Sequence, residues 1–128
     1  MKFAKLVFLL AGIYGLIVLL PQYFLEGKTG RDFPPPITHP EFYYGFIGVT
    51  VAWQLLFLIL SRNPERYRPM MIPAILEKAL FPLAIVILFF QHRVSPLMLG
   101  FATVDVLLGV LFVTAYVKTP TAQRQILS

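Results

Sequence analysis

The sequence predicts an all-α integral membrane protein, an up-down-up-down four-helix bundle, and three observations carry that prediction. Of 128 residues, 58% are hydrophobic and only 13% are charged, with a mean hydropathy of +0.76; a water-soluble domain carries about a quarter charged residues. Four apolar runs recur along the chain, each long enough to cross roughly 30 Å of hydrocarbon at 1.5 Å per residue. The connections between them hold most of the prolines and basic residues. The same pattern makes residues 1–128 a single domain. There is no cysteine, which excludes disulfides, thiolate metal sites and cysteine nucleophiles. The net charge of +5 does not point to nucleic acid, because the basic residues alternate with apolar runs; it points to membrane topology and lipid phosphates.

The first run, residues 3–20, follows Lys2 and Lys5. It leaves through Pro21-Gln22-Tyr23-Phe24-Leu25-Glu26, without a small-x-small cleavage signature, and reads as a retained signal-anchor helix. Gly12, Tyr14 and Gly15 fall near its middle. Residues 26–37 are expected to be a loop, stiffened by Pro34, Pro35 and Pro36 and folded back onto the bundle mouth by Phe33 and Ile37. The second spanning helix covers residues 38–60. Thr38 and Glu41 have the spacing of a capping box, and Pro40 falls in the first turn, where a missing N–H costs little. Phe42, Tyr43, Tyr44 and Phe46 mark the passage from headgroups into hydrocarbon.

Residues 61–68 are the most basic connection, and Asn63 followed by Pro64 predicts a short interfacial helix there. The third spanning helix covers residues 74–90. Pro82 inside it removes one backbone hydrogen bond and predicts a kink. Ser95-Pro96 repeats the cap-then-proline signature and opens the fourth helix, residues 96–116, antiparallel to the third across a tight turn at 91–95.

Lys and Arg counts set the expected orientation. Lys2, Lys5, Arg62, Arg66, Arg68, Lys78, Lys118 and Arg124 share one side, and Lys28, Arg31 and Arg93 the other. That imbalance places both termini in the cytoplasm of a bacterial inner membrane.

Polar groups at membrane depth are the functional pointers, since an ionisable side chain there costs about 3 kcal/mol unless paired. Asp105 is the strongest, roughly 14 Å below the outer end of the fourth helix. Thr50 and Gln54 lie about 12 and 18 Å down the second helix from Phe42, four apart and on one face. Tyr14 is near mid-span of the first. These four are expected to form an interior cluster, with Gly109 on the Asp105 face allowing close helix approach. The competing reading makes Gln54, Thr50 and Tyr14 ordinary interhelical packing groups. Glu77 lies in the cytoplasmic third of its helix beside Lys78. Neighbours on a helix point about 100° apart, so Lys78 is expected to snorkel to the headgroups while Glu77 meets an arginine of the basic connection; the alternative places Glu77 with Gln54 on a cytoplasm-facing cavity. His39, Glu41 and His92 at the outer mouth fit no metal motif, and no nucleophile–base set, P-loop or dinucleotide fingerprint is present. No cofactor follows from these residues.

Three stretches, ITHPEFYYGFIG with the later Ala52-Trp53-Gln54, then NPERYRPMMIPAILEK, then DVLLGVLFV, make about half the chain resemble small four-helix bacterial inner-membrane proteins of uncharacterised function. The layout is similar to the DoxX-like group, some of which accompany quinone-linked oxidoreductases. The resemblance is of layout and hydropathy and carries over no catalytic residue. The leading expectation is a non-catalytic subunit or accessory protein that packs in a larger membrane complex, or in a homo-oligomer, or binds a lipid-like or quinone-like molecule. Asp105, Gln54, Thr50, Tyr14 and Glu77 are its candidate binding residues. The alternatives are a small intramembrane enzyme on a quinone or sterol-like lipid, using Asp105 and Glu77 as acid and base, and a proton-coupled transporter.

Overall fold

The computed structural model describes residues 2–121, and among them every regular element is helical. Helix α1 (Lys2–Leu19) continues through a 3₁₀ turn at Leu20–Phe24. Helix α2 (Glu26–Asp32) is short. Helix α3 is Pro40–Arg62, α4 is Met71–Phe90 with a 3₁₀ turn at Arg68–Met70 before it, and α5 is Leu97–Lys118. All but α2, with the 3₁₀ extensions, are 22 or 23 residues long and apolar enough to cross a bilayer, the make-up of a multi-pass membrane protein.

Helix α1 packs along α3, α4 packs along α5, α1 also meets α5, and α3 and α4 barely touch. Small residues set the first seam. Ala4, Ala11, Gly12 and Gly15 lie on the buried stripe of α1, and a Cβ on Gly12 would come within 3.0 Å of the Gln54 backbone oxygen. Small side chains of this kind let helix backbones approach in a membrane, where no hydrophobic force drives helix association. The buried core gathers where α1 begins, α3 ends, α4 begins and α5 ends. Ala4, Phe8, Phe57, Leu60, Met71 and Phe112 belong to it. Phe8, Phe57 and Phe112 are fully buried and touch one another, with ring centroids 6.2, 4.4 and 5.1 Å apart; aromatic pairs at such spacings add to the area they bury.

The same end is latched by Arg68. Its Nε donates to Tyr116 O at 3.2 Å and Thr119 O at 2.8 Å, and its guanidinium lies 3.8 Å from the centre of the Tyr116 ring. The last carbonyls of α5 have no helical N–H, and an arginine there also meets the negative end of the helix dipole. Lys118 Nζ sits 4.6 Å over the Phe3 ring, so the start of α1 and the end of α5 adjoin.

Several local expectations are corrected. Residues 26–37 are not all loop, since α2 occupies their first half. It folds back on α3: Tyr44 OH donates to Glu26 Oε2 at 2.9 Å and Tyr43 OH lies 3.5 Å from Thr29 Oγ1, while Tyr43 OH donates to Gln22 O of the preceding 3₁₀ turn at 2.7 Å. Gly30 is buried because a Cβ there would come within 3.1 Å of Pro36 Cα. The capping box does not form. His39 is the N-cap and no side chain caps it; Glu41 turns to His39 Nδ1 at 3.1 Å. Asn63 does cap, its Oδ1 accepting from Arg66 N at 3.2 Å, but the turn it starts goes round once and passes into the 3₁₀ segment. Helix α4 begins three residues before position 74, because Pro73 falls in its first turn, where proline is tolerated. After α4, His92 adopts φ 58. His92 N donates to Phe89 O and Arg93 N to Leu88 O, the pair of bonds that closes a Schellman motif.

Phe57→Ala should lower stability by about 3–5 kcal/mol, read from unfolding of the purified protein in detergent; Phe46→Ala, an exposed position, should leave the midpoint unchanged. Arg68→Lys keeps the charge but loses the planar fork and the ring stacking, and should lower the unfolding midpoint nearly as far as Arg68→Ala.

Candidate functional site

The buried stripe of α4 runs Met71, Ala74, Lys78, Pro82 and Ile85, so helical spacing alone carries Lys78 inward. It lies about 10 Å along α4 from Met71. Lys78 is 6% exposed. Its Nζ stands 3.4 Å from Glu77 Oε2 and 3.6 Å from Asp105 Oδ1, and 5.4 Å from the centre of the Phe57 ring. One ammonium is thus shared by a carboxylate from its own helix, a carboxylate from α5 and an aromatic face from α3. Together the two ion-pair legs put the two carboxylates no more than about 7 Å apart, within reach of a common partner.

Gly109 makes the approach possible. A Cβ there would lie 3.4 Å from Lys78 Cβ, so α5 crosses α4 closely at this level, and Asp105 sits one turn along the same face of α5. Pro82 acts on the same turn, since without its N–H the Lys78 carbonyl has no helical donor. Glu77 Oε2 is buried and has no aligned hydrogen bond; its contact with Lys78 is electrostatic. With all three groups ionised the cluster carries one net negative charge.

The expected snorkelling of Lys78 is therefore corrected: an ammonium leaves water when two carboxylates and a ring face replace its hydration. Glu77 accordingly meets Lys78, not an arginine of the basic connection, and Lys78 drops out of the headgroup count. Arg124 lies outside the described residues.

The expected cluster of Tyr14, Thr50, Gln54 and Asp105 is not one hydrogen-bonded set. Asp105 belongs with Lys78. Tyr14 is 42% exposed and points away from the α3 seam. Thr50 Oγ1 donates to Phe46 O within its own helix at 2.6 Å. Gln54 is 1% exposed, and its Nε2 donates to Thr50 O at 3.0 Å. Gln54 Oε1 is buried without a hydrogen-bond partner and faces Gly15, where a Cβ would overlap the amide. Two polar foci result, the Gln54 amide between α1 and α3 and the ionic cluster between α4 and α5.

Beside the ionic cluster, α4 and α5 frame an open apolar groove of about 430 Å³, lined by Ile75, Ala79, Pro82, Val106 and Val110 with the stem of Lys78 and Gly109. The sequence did not mark Lys78 as the centre of the site, because a lysine near a helix end has a stem long enough to carry its charge to the headgroups. The available signal was its place on the stripe with Ala74 and Pro82.

Comparison with protein-family models, curated proteins and solved structures returns no match.

Lys78→Met should destabilise the protein by about 3–5 kcal/mol by leaving two buried carboxylates without their counter-ion. Glu77→Gln, Lys78→Met and Asp105→Asn together should recover most of that loss, and chemical unfolding in detergent micelles measures both.

Proposed function

We propose that this chain is a non-catalytic protein of a bacterial cytoplasmic membrane, an up-down-up-down bundle with both termini inside, that binds a lipid-like or quinone-like molecule within a larger membrane assembly. The observation that carries this reading is the tie of both intramembrane carboxylates to one ammonium. General acid–base work needs a carboxyl free to reach its substrate; here Lys78 occupies both acids, and the open apolar groove lies next to them. The layout resemblance to the DoxX-like group supports the same reading. So does the side balance of basic residues, which survives the removal of Lys78 from the count.

One observation favours a second reading. Two carboxylates against one ammonium leave a surplus negative charge at membrane depth, and such groups mark proton pathways. A proton-coupled transporter would use that surplus as its carrier site.

Extraction and mass analysis of lipids retained by the full-length protein tests the first reading. Wild type should hold a lipid-like molecule at near one per chain, and Ala79→Trp, which fills the groove, should lose most of it with the fold intact. Proton-driven uptake by proteoliposomes, abolished by Asp105→Asn, would decide for the transporter.

A further inference from the structure

A second groove lies against α3. It runs along α3 for about 12 Å, from Ala52 through Leu55 and Ile59 to Leu60, and is closed at its end by Tyr67 and Met70. Its volume is about 430 Å³, at the lower end for ligand-sized clefts, and its walls are apolar except for the Tyr67 hydroxyl. Such a groove along one spanning helix suits a single extended hydrocarbon chain.

The end of the groove is basic. Leu55, Ile59 and Arg62 follow one another at helical spacings of four and three, so Arg62 continues the groove face past the end of the apolar run. Arg62 is exposed and has no ionic partner among the described residues. Arg66 is exposed, and its guanidinium lies 5.5 Å over the ring of Tyr67, the residue that closes the groove. Arg68 is excluded from such a role because its Nε is spent on Tyr116 O and Thr119 O. Glu65 lies between the two free arginines and subtracts one charge, so a bound anion needs both. An apolar slot that ends in two unpaired guanidinium groups at the terminus of a spanning helix has the polarity of one lipid class.

We propose that this groove is a binding site for an anionic phospholipid, one acyl chain lying against Ala52, Leu55 and Ile59 and the phosphate meeting Arg62 and Arg66. Arginine forks suit phosphate oxygens, and anionic lipids gather at juxtamembrane basic segments. The site is separate from the groove between α4 and α5, so it stands or falls independently of what that groove binds.

Native mass spectrometry of the full-length protein in zwitterionic detergent tests the proposal, with phosphatidylglycerol and phosphatidylcholine of identical chains as probes. Wild type should retain phosphatidylglycerol by about tenfold over phosphatidylcholine. Arg62→Ala with Arg66→Ala should abolish the preference, and Arg62→Lys with Arg66→Lys should keep part of it. Glu65→Gln should raise it. Ala52→Trp, which blocks the slot and leaves both arginines, should cut retention of either lipid several-fold. Soluble glycerol phosphate should not compete, which separates a lipid site from a phosphate site. Equal retention of the two lipids by wild type overturns the proposal. So does a preference that survives the double alanine variant, or undiminished binding by Ala52→Trp. An unchanged unfolding midpoint in zwitterionic detergent shows that each variant has folded.

Discussion

The interaction on which the arrangement of α4 and α5 depends is the capture of one ammonium, Lys78, by Glu77 and Asp105 away from water. Charges are costly at this depth, so the three groups constrain one another: none can leave the interior without stranding the others. That makes the ion pair a register lock. It sets which turn of α5 faces which turn of α4, and Gly109 opposite the Lys78 stem fixes how close the helices come. Whether such a pair adds net stability over well-packed apolar groups is a separate matter, since desolvation offsets much of the attraction. What it adds here is specificity of alignment.

A different force holds the two helix pairs together. Phe8, Phe57 and Phe112 come from α1, α3 and α5 and interlock at the end of the molecule where Arg68 reaches across to the carbonyls of α5. Phe57 also links this region to the ionic cluster, since its ring lies under the Lys78 ammonium. The aromatic wedge and the charge cluster are therefore one continuous structure. The firm packing lies at one end of the helices, and the grooves open beside it.

Much of the fold was legible from periodicity and composition. The four spanning helices, Pro40 in the first turn of α3 and the tight connection at residues 91–95 follow from patterns of a few neighbouring residues. So did the pointers to Asp105 and to Gly109. The helix α2 was not legible, because EGKTGRD carries two glycines and no apolar stripe; it is held by contacts to Tyr43 and Tyr44, which are distant in sequence. Thr38 and Glu41 had the right spacing for a cap, yet His39 took the N-cap position, since a spacing pattern does not say which residue leaves the helix first. Gln54 was recognised as a buried amide, but its companion across the seam is Gly15, whose absent side chain makes the space.

By itself the sequence determined the solvent this protein lives in, the number and approximate limits of its spanning helices, and which few polar groups lie at depth, because each of these depends on hydrophobicity summed over contiguous residues. Only the tertiary structure decided how those groups combine. Lys78 faces Asp105 because α4 and α5 cross where Gly109 has no side chain, and Tyr14 is left at the surface because the glycines of α1 turn its opposite face to α3. A partner on another helix is chosen by rotation and close approach between helices, and a linear pattern does not contain those quantities.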